Sequence, residues 1–273
     1  MITSASNGRI KEIVNLIQKA KVRREKKVFI IEGIRLFSEV PRELIEEIYV
    51  SDTFLEKQEN RELLEGLKYE TVKEEVFRKI SDTKTPQGIL AVVKQPQYSL
   101  EQMILQDLTE KPSEHAKQPL LVILEDIQDP GNLGTIMRTA EGAGVTGVIM
   151  TKETVDIYNP KTIRSTMGSI FRVPFLYVDN LQEVLEHLKE NEIGVYAAHL
   201  QGKKLYDEFS YQKGTAFLIG NEGNGLKKET ADKADGYMLI PMEGKLESLN
   251  AAVATALLVY EAARQRRIGN VKS

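Results

Sequence analysis

The chain has 273 residues, 28% charged and 41% hydrophobic, a balance that suits a folded soluble protein of two domains or one large one. There is no cysteine, and the three histidines, His115, His187 and His199, lack HxxxH or HxH spacing; this excludes thiol nucleophiles, disulfides and iron–sulfur clusters and argues against a metal site. The longest nearly apolar stretch, Ala251 to Tyr260, is ten residues and Met1 to Lys11 is polar, so no membrane span or secretory leader is expected and a cytoplasmic location is.

The net charge of −3 conceals a pattern: residues 1–35 carry nine Lys/Arg against three Glu, whereas residues 36–75 carry five against twelve Asp/Glu. The densest part of this basic arm is Lys19, Lys21, Arg23, Arg24, Lys26 and Lys27, a spacing that sets cations along nucleic-acid phosphates. A solvated helix end is the alternative. Ile10, Ile13, Val14 and Ile17 repeat at helical spacing and lead to a strand-like Val28 to Ile31 and a helix around Ile34 to Val40. A strand at Ile48 to Val50, a helical Glu59 to Leu67 and a β-like Ile89 to Val93 follow, so residues 1–95 read as a small α/β domain. Pro96, Pro112 and Pro119, among polar residues, mark a linker over 96–118.

From 119 to 273 the pattern changes. Continuous apolar runs at Leu120 to Leu124, Val145 to Met150, Gly194 to Ala198, Ala216 to Ile219 and Tyr237 to Ile240 suit strands buried on both faces, each beside a helical stretch. Strands separated by helices need crossover connections, hence a mainly parallel sheet. In the last helix Leu249, Val253, Leu257 and Tyr260, with Ala252, Ala256 and Ala263, form one apolar face, and Ser248 can cap its start. Ligands of such sheets sit beyond the carboxyl ends of the strands, which directs attention to the loops there.

Gly142-Ala143-Gly144-Val145-Thr146-Gly147 matches G-x-G-x-x-G, but these glycines follow a helix and lead into a strand. A dinucleotide site needs the reverse order, so the segment reads as a helix C-cap and turn. Three other loops stand out. Asp129 to Ala140 turns out of the Leu120 strand and opens a helix near Gly131 or Asn132 that carries Arg138 about two turns in. Leu218 to Leu226 places three glycines and Glu222 after a strand, which allows the backbone to approach a flat ligand. Ile240 to Asn250 leaves the last strand and enters the last helix, with Asn250, a poor helix former, in its first turn.

In this order the three loops closely resemble the motifs of the SpoU, or TrmH-like, RNA ribose 2′-O-methyltransferases of the SPOUT superfamily. Asn132-Leu133-Gly134 with Arg138-Thr139-Ala140 is similar to the first motif, and Gly220-Asn221-Glu222-Gly223 with Gly225-Leu226 to the second. Ile240-Pro241-Met242, Gly244 and Ser248-Leu249-Asn250 are similar to the third, although Ala251-Ala252 replaces the more usual Val-Ser. Pro160-Lys161, Arg164, Met167-Gly168-Ser169 and Phe171-Arg172-Val173-Pro174 resemble the segment between the first two motifs. Ile10-Lys11, Glu32-Gly33 and Thr85-Pro86-Gln87-Gly88-Ile89 resemble a ribosomal-protein-like substrate-binding domain.

The resemblance implies an α/β fold with a trefoil knot in the 119–273 domain, S-adenosylmethionine as methyl donor and a homodimer. It further implies methylation of a ribose 2′-hydroxyl in structured RNA, ribosomal RNA ahead of transfer RNA. A non-catalytic RNA-binding module is the alternative from another class. By residue-by-residue transfer, Gly220, Ile240 and Leu249 hold the donor, Arg138 and Asn132 face the ribose, Glu222 shapes the site, and Ser248 and Asn250 complete it. A guanidinium in proteins is in general always protonated, so Arg138 is either a base in an unusual setting or a cationic stabiliser of the developing alkoxide. The basic arm then becomes the RNA grip, phosphate contacts positioning the substrate.

Overall fold

The computed structural model describes residues 1–105 and 118–271. Two compact units emerge, one of residues 1–97 with 156–171 and the other of 98–155 with 172–273. The first begins with helices α1 (Gly8–Gln18) and α2 (Ala20–Lys26), strand β1 (Val28–Glu32) and helix α3 (Ile34–Glu39). It continues with β2 (Ile45–Ser51), α4 (Gln58–Leu63), β3 (Glu70–Val72), α5 (Glu74–Ile80) and β4 (Ile89–Lys94). The strands form a mixed sheet in the order β1-β4-β2-β3. Asn7 caps α1 by accepting from Arg9 N–H; of the residues read at helical spacing Ile10 and Ile13 are buried, together with Leu16, against Tyr49, Leu90 and Val92 of the sheet, whereas Val14 and Ile17 are half-buried.

The second unit holds α6 (Leu100–Leu105), β5 (Leu120–Leu124), α7 (Pro130–Ala143) and β6 (Gly147–Thr151). Helix α8 (Pro160–Thr166) returns to the first unit, where Phe29 of β1 packs on Tyr158 and Phe171 of the same inserted segment. The chain then adds β7 (Phe175–Val178), α9 (Leu181–Glu190), β8 (Gly194–Ala198), β9 (Lys204–Leu205), β10 (Thr215–Ile219), α10 (Lys228–Ala231), β11 (Gly236–Leu239) and α11 (Ala251–Val271). Every pairing within the sheet β7-β6-β5-β10-β8-β11-β9 is parallel. All five apolar runs are strands of this sheet, and β5, whose five residues are all buried, lies between β6 and β10. The order of chain progression reverses there, the switch point at which such sheets take ligands.

Three details differ from the sequence reading. Residues 100–105, expected within a linker, form α6, with Met103 and Ile104 in the core of the second unit. The rest of that expected linker, 106–117, including His115, lies outside the described residues, as do 272–273. The last helix starts at Ala251, and its cap is Asn250, whose Oδ1 accepts from Ala252 N–H at 2.9 Å and Val253 N–H at 3.3 Å. Ser248 lies in the irregular segment before it, so the expected Ser248 cap is replaced by one two residues on. Asn250 is no helix-interior anomaly; it is a residue type that favours this position.

The third difference concerns which face of α11 is inward. Ala251, Ala252, Thr255, Leu258, Val259 and Ala262 are buried, whereas Val253, Leu257 and Tyr260 are 49%, 37% and 47% exposed. Apolar residues surround this helix, so periodicity alone could not orient it. Its far end is clipped by Arg266, which donates to the carbonyls of Gln118, Pro119, Tyr211 and Lys213 at 2.7–2.9 Å. Burial lowers the pKa of this guanidinium from its ordinary value.

Gly142 and Gly147 of the 142–147 segment are required by packing and Gly144 by its backbone conformation. A Cβ on Gly142 would stand 2.8 Å from the Tyr260 hydroxyl, Gly144 ends α7 at φ 76, and a Cβ on Gly147 would stand 2.5 Å from Met103. This is the helix end and turn expected from the order of elements.

Candidate active site

At the carboxyl end of the parallel sheet a cavity of about 330 Å³ opens between the ends of β8, β10 and β11 and the start of α11. Residues 219–226 and 238–240 line it, together with Met242, residues 247–249, Ala251 and Ala254. Gly220, Ile240, Leu249, Glu222 and Ser248 are therefore brought together at one opening. Gly220 is demanded by the loop itself: a Cβ there would lie 2.2 Å from the Gly225 carbonyl carbon and the Leu226 nitrogen. Asn221 and Gly225 bridge across this tight loop, with Gly225 at φ +67.

Beside the cavity, side chains from all three motif-bearing loops join. Asp129 caps α7 by accepting from Asn132 N–H at 2.8 Å, and Pro130 fills the first helical position. So placed, Asn132 donates from Nδ2 to Glu222 Oε1 at 2.9 Å and accepts at Oδ1 from Asn250 Nδ2 at 2.9 Å. Glu222 also accepts from the N–H groups of Gln128 at 3.0 Å and Asp129 at 3.1 Å. Burial works against its charge, but the donors from Asn132, Gln128 and Asp129 outweigh it and hold the carboxyl below its ordinary range. Asn132, Glu222 and Asn250 thus form a chain of hydrogen bonds spanning separations of 90 and 118 residues.

Ser248 is exposed and makes no hydrogen bond among the described residues. Arg138 is exposed and unpaired among the described residues, and it does not line the cavity. Six residues beyond Asn132, it lies about 120° around the helix from that side chain. The outward face of α7 that carries it also carries exposed Thr135 and Gly142, the latter against Tyr260 of α11.

Sequence reasoning did not single out Glu125 and Asp126. Both leave β5 and bond to the loop after β10: Glu125 to Lys227 N–H and the Thr230 hydroxyl, Asp126 to the Lys227 ammonium. Asp126 sits at φ 58 and its carbonyl accepts from Asn221 Nδ2 at 2.7 Å. An acidic pair leaving a strand looks like an ordinary solvated turn, so only the partners, about 100 residues away, reveal it.

In the first unit, Lys19, Lys21, Arg24, Lys26 and Lys27 are exposed. Lys21 pairs with Glu25 at 3.8 Å and Lys26 with Glu12. Arg23 departs from the expected set. It is 3% exposed, and its guanidinium pairs with Asp156 at 2.5 Å and donates to the carbonyls of Leu16 at 2.6 Å and Ile17 at 2.9 Å. Freeing it for a phosphate would strand a half-buried carboxylate and two carbonyls. Arg23 holds the fold of this unit.

Comparison with known proteins places these features in context. Residues 119–260 match the SpoU rRNA Methylase family, and residues 7–91 match the MRM3-like substrate binding domain. The chain is 34% identical over 261 residues, 95% of its length and 97% of the relative's, to the 23S rRNA (guanosine(2553)-2′-O)-methyltransferase RlmP of Bacillus subtilis. Its structure is similar to the AdoMet-bound rRNA methyltransferase of Sinorhizobium meliloti, with a TM-score of 0.80, 32% identity and coverage of 96% of this chain and 97% of that one. It is also similar to the SpoU methyltransferase AviRb of Streptomyces viridochromogenes in complex with AdoMet, with a TM-score of 0.83, 27% identity and coverage of 96% and 98%.

Proposed function

The chain belongs to the SpoU rRNA Methylase family, and from that premise we propose that it methylates a ribose 2′-hydroxyl of ribosomal RNA with S-adenosylmethionine as donor. The observation that carries this reading is the Asn132–Glu222–Asn250 chain, which joins three separate loops at the rim of one cavity at the sheet's switch point. The cavity fits such a donor: about 330 Å³ lies at the small end of small-molecule sites. Ile219, Leu226, Leu239, Ile240 and Leu249 supply apolar walls for a purine, while Gly220 and its neighbours present backbone groups. When bound, the donor supplies an electrophilic methyl on a sulfonium.

The chain's own residues then have to orient the acceptor, whose hydroxyl proton leaves to water as the methyl is transferred. Asn132 and Asn250, bonded to each other, position the ribose, and Glu222 fixes Asn132. Ser248 offers a hydroxyl at the rim of the same cavity. Arg138 supplies the positive charge at the reacting oxygen. Since it faces away from Asn132 on its own chain, a second copy brings it into place. The exposed stripe of Val253, Leu257 and Tyr260 is the contact for that homodimer.

RNA binding belongs to the first unit, with Lys19, Lys21, Arg24, Lys26 and Lys27 along the phosphates in the cytoplasm, where ribosomal RNA is. The trefoil knot is part of the same proposal, as is methyl transfer by the second unit. Among the described residues no helix is long and apolar enough to cross a membrane.

Calorimetric titration with S-adenosylhomocysteine, with NADH as comparator, tests the donor reading. We expect micromolar binding of the former alone, about −8 kcal/mol. Binding of neither leaves an RNA-binding module without catalysis, and binding of NADH alone overturns the reaction class.

A further inference from the structure

A buried carboxylate that the proposed reaction does not use fastens together the two loops flanking the switch point. Glu125, the first residue after β5, is 3% exposed. One oxygen accepts from Lys227 N–H at 2.7 Å and the other from the Thr230 hydroxyl at 2.5 Å, while its own N–H donates to the Ile219 carbonyl at 2.9 Å. Burying a carboxylate is costly without such partners, and an apolar residue would fill the same space at lower cost. The charge is therefore explained by what its two oxygens hold.

They hold one stem of the loop that lines the cavity. Lys227 and Thr230 flank the start of α10, directly after Gly225 and Leu226. The next residue in the chain holds the other stem: the Asp126 carbonyl accepts from Asn221 Nδ2, and its carboxylate pairs with the Lys227 ammonium at 2.7 Å. Between these anchors residues 221–225 close on themselves through the Asn221–Gly225 bridge, so the loop moves as a unit with its stems. Glu125 itself does not line the cavity.

We infer that Glu125 is a positioning residue that sets the 221–226 loop at the height from which it holds the methyl donor; this rests on the donor-site reading given above. A carboxylate accepts at both oxygens. The carboxamide of Glu125→Gln accepts at one and presents N–H toward the other donor, while keeping volume and shape. Thr230→Val removes only the hydroxyl donor and also conserves shape.

The test measures S-adenosylhomocysteine affinity by calorimetry, donor KM and kcat on RNA, and melting temperature, all on the full chain. For Glu125→Gln we expect the Kd and the donor KM to rise together by about tenfold or more, with kcat at saturating donor within about twofold of wild type. Thr230→Val should shift the same two quantities in the same direction by less, and it decides alone if Glu125→Gln fails to fold. Wild-type donor affinity in both variants overturns the inference, and so does a fall in kcat or melting temperature with donor KM unchanged, which marks general scaffolding. A wild-type protein that binds no S-adenosylhomocysteine instead overturns the donor reading on which it rests.

Discussion

Arg138→Ala is expected to lower kcat by about 10²–10³ while leaving S-adenosylhomocysteine affinity within about threefold of wild type. The split follows from position. Arg138 is exposed on the outer face of α7 and contributes nothing to the wall of the cavity, so its loss removes no donor contact. In the proposed role its charge acts only where negative charge develops on the attacking oxygen, and an interaction made only in the transition state appears in kcat. Arg138→Lys separates the two roles left open for it. A stabilising cation is partly replaced by an ammonium with the pH profile unchanged, whereas a base replaced by lysine, whose amine loses its proton more readily, shifts the rise of kcat to lower pH. Equal donor affinity with full turnover in Arg138→Ala would remove this residue from the mechanism. Simultaneous loss of donor affinity would show that it acts by holding the cavity.

Glu222→Ala is expected to act on both halves of the site. Its carboxylate gathers Asn132 Nδ2 and the N–H groups of Gln128 and Asp129, and it stands on the loop that lines the cavity. Without it the 220–226 loop loses its hydrogen bonds to the start of α7. Because the side chain is exposed and water takes up part of the loss, we expect about a ten- to hundredfold fall in kcat/KM, with donor KM and kcat both worsened. Glu222→Gln, which keeps one good acceptor, should fall between. The pH dependence has a definite sign. A carboxyl held below its ordinary range contributes stability that is present above the unfolded-state value and is lost as pH falls through the folded one. Glu222 should thus give no inflection in activity near neutral pH, and a loss only below the ordinary carboxylate range. An acidic limb near neutrality that disappears in Glu222→Gln would contradict this.

The larger unit was legible because its central strands β5, β6 and β10 are buried on both faces and read as unbroken apolar runs. Strand β7, only four residues long, and β9, of two residues, carry too little pattern to stand out. Helix α6 is hidden because a six-residue helix among prolines resembles a linker, and its meaning comes from Met103 filling the space that Gly147 leaves. Glycine-rich loops at strand ends disclosed the cavity, yet their chemistry lies in bonds across the fold. Asn250 looked misplaced until its cap and its bond to Asn132 were seen together. Arg23 looked like its basic neighbours because its partner, Asp156, is 133 residues away.

The inserted segment 156–171 shows the same limit in packing. Residues between the first two motifs resemble the family, but nothing in their spacing announces that Tyr158 and Phe171 pack on Phe29 of the first unit. Removing residues 1–97 would therefore uncover Tyr158 and Phe171. Substituting exposed Lys19, Arg24 and Lys27 is the cleaner test of the proposed RNA grip.

The most direct measurement of the central claim is methyl transfer itself. The full chain is incubated with unmethylated ribosomal RNA and S-adenosylmethionine labelled in its methyl group, and the RNA is then hydrolysed with alkali. A methylated 2′-oxygen cannot attack the neighbouring phosphate, so the account predicts label in an alkali-resistant dinucleotide at a defined position. Label confined to mononucleotides, or none transferred by protein that binds the donor, would contradict it.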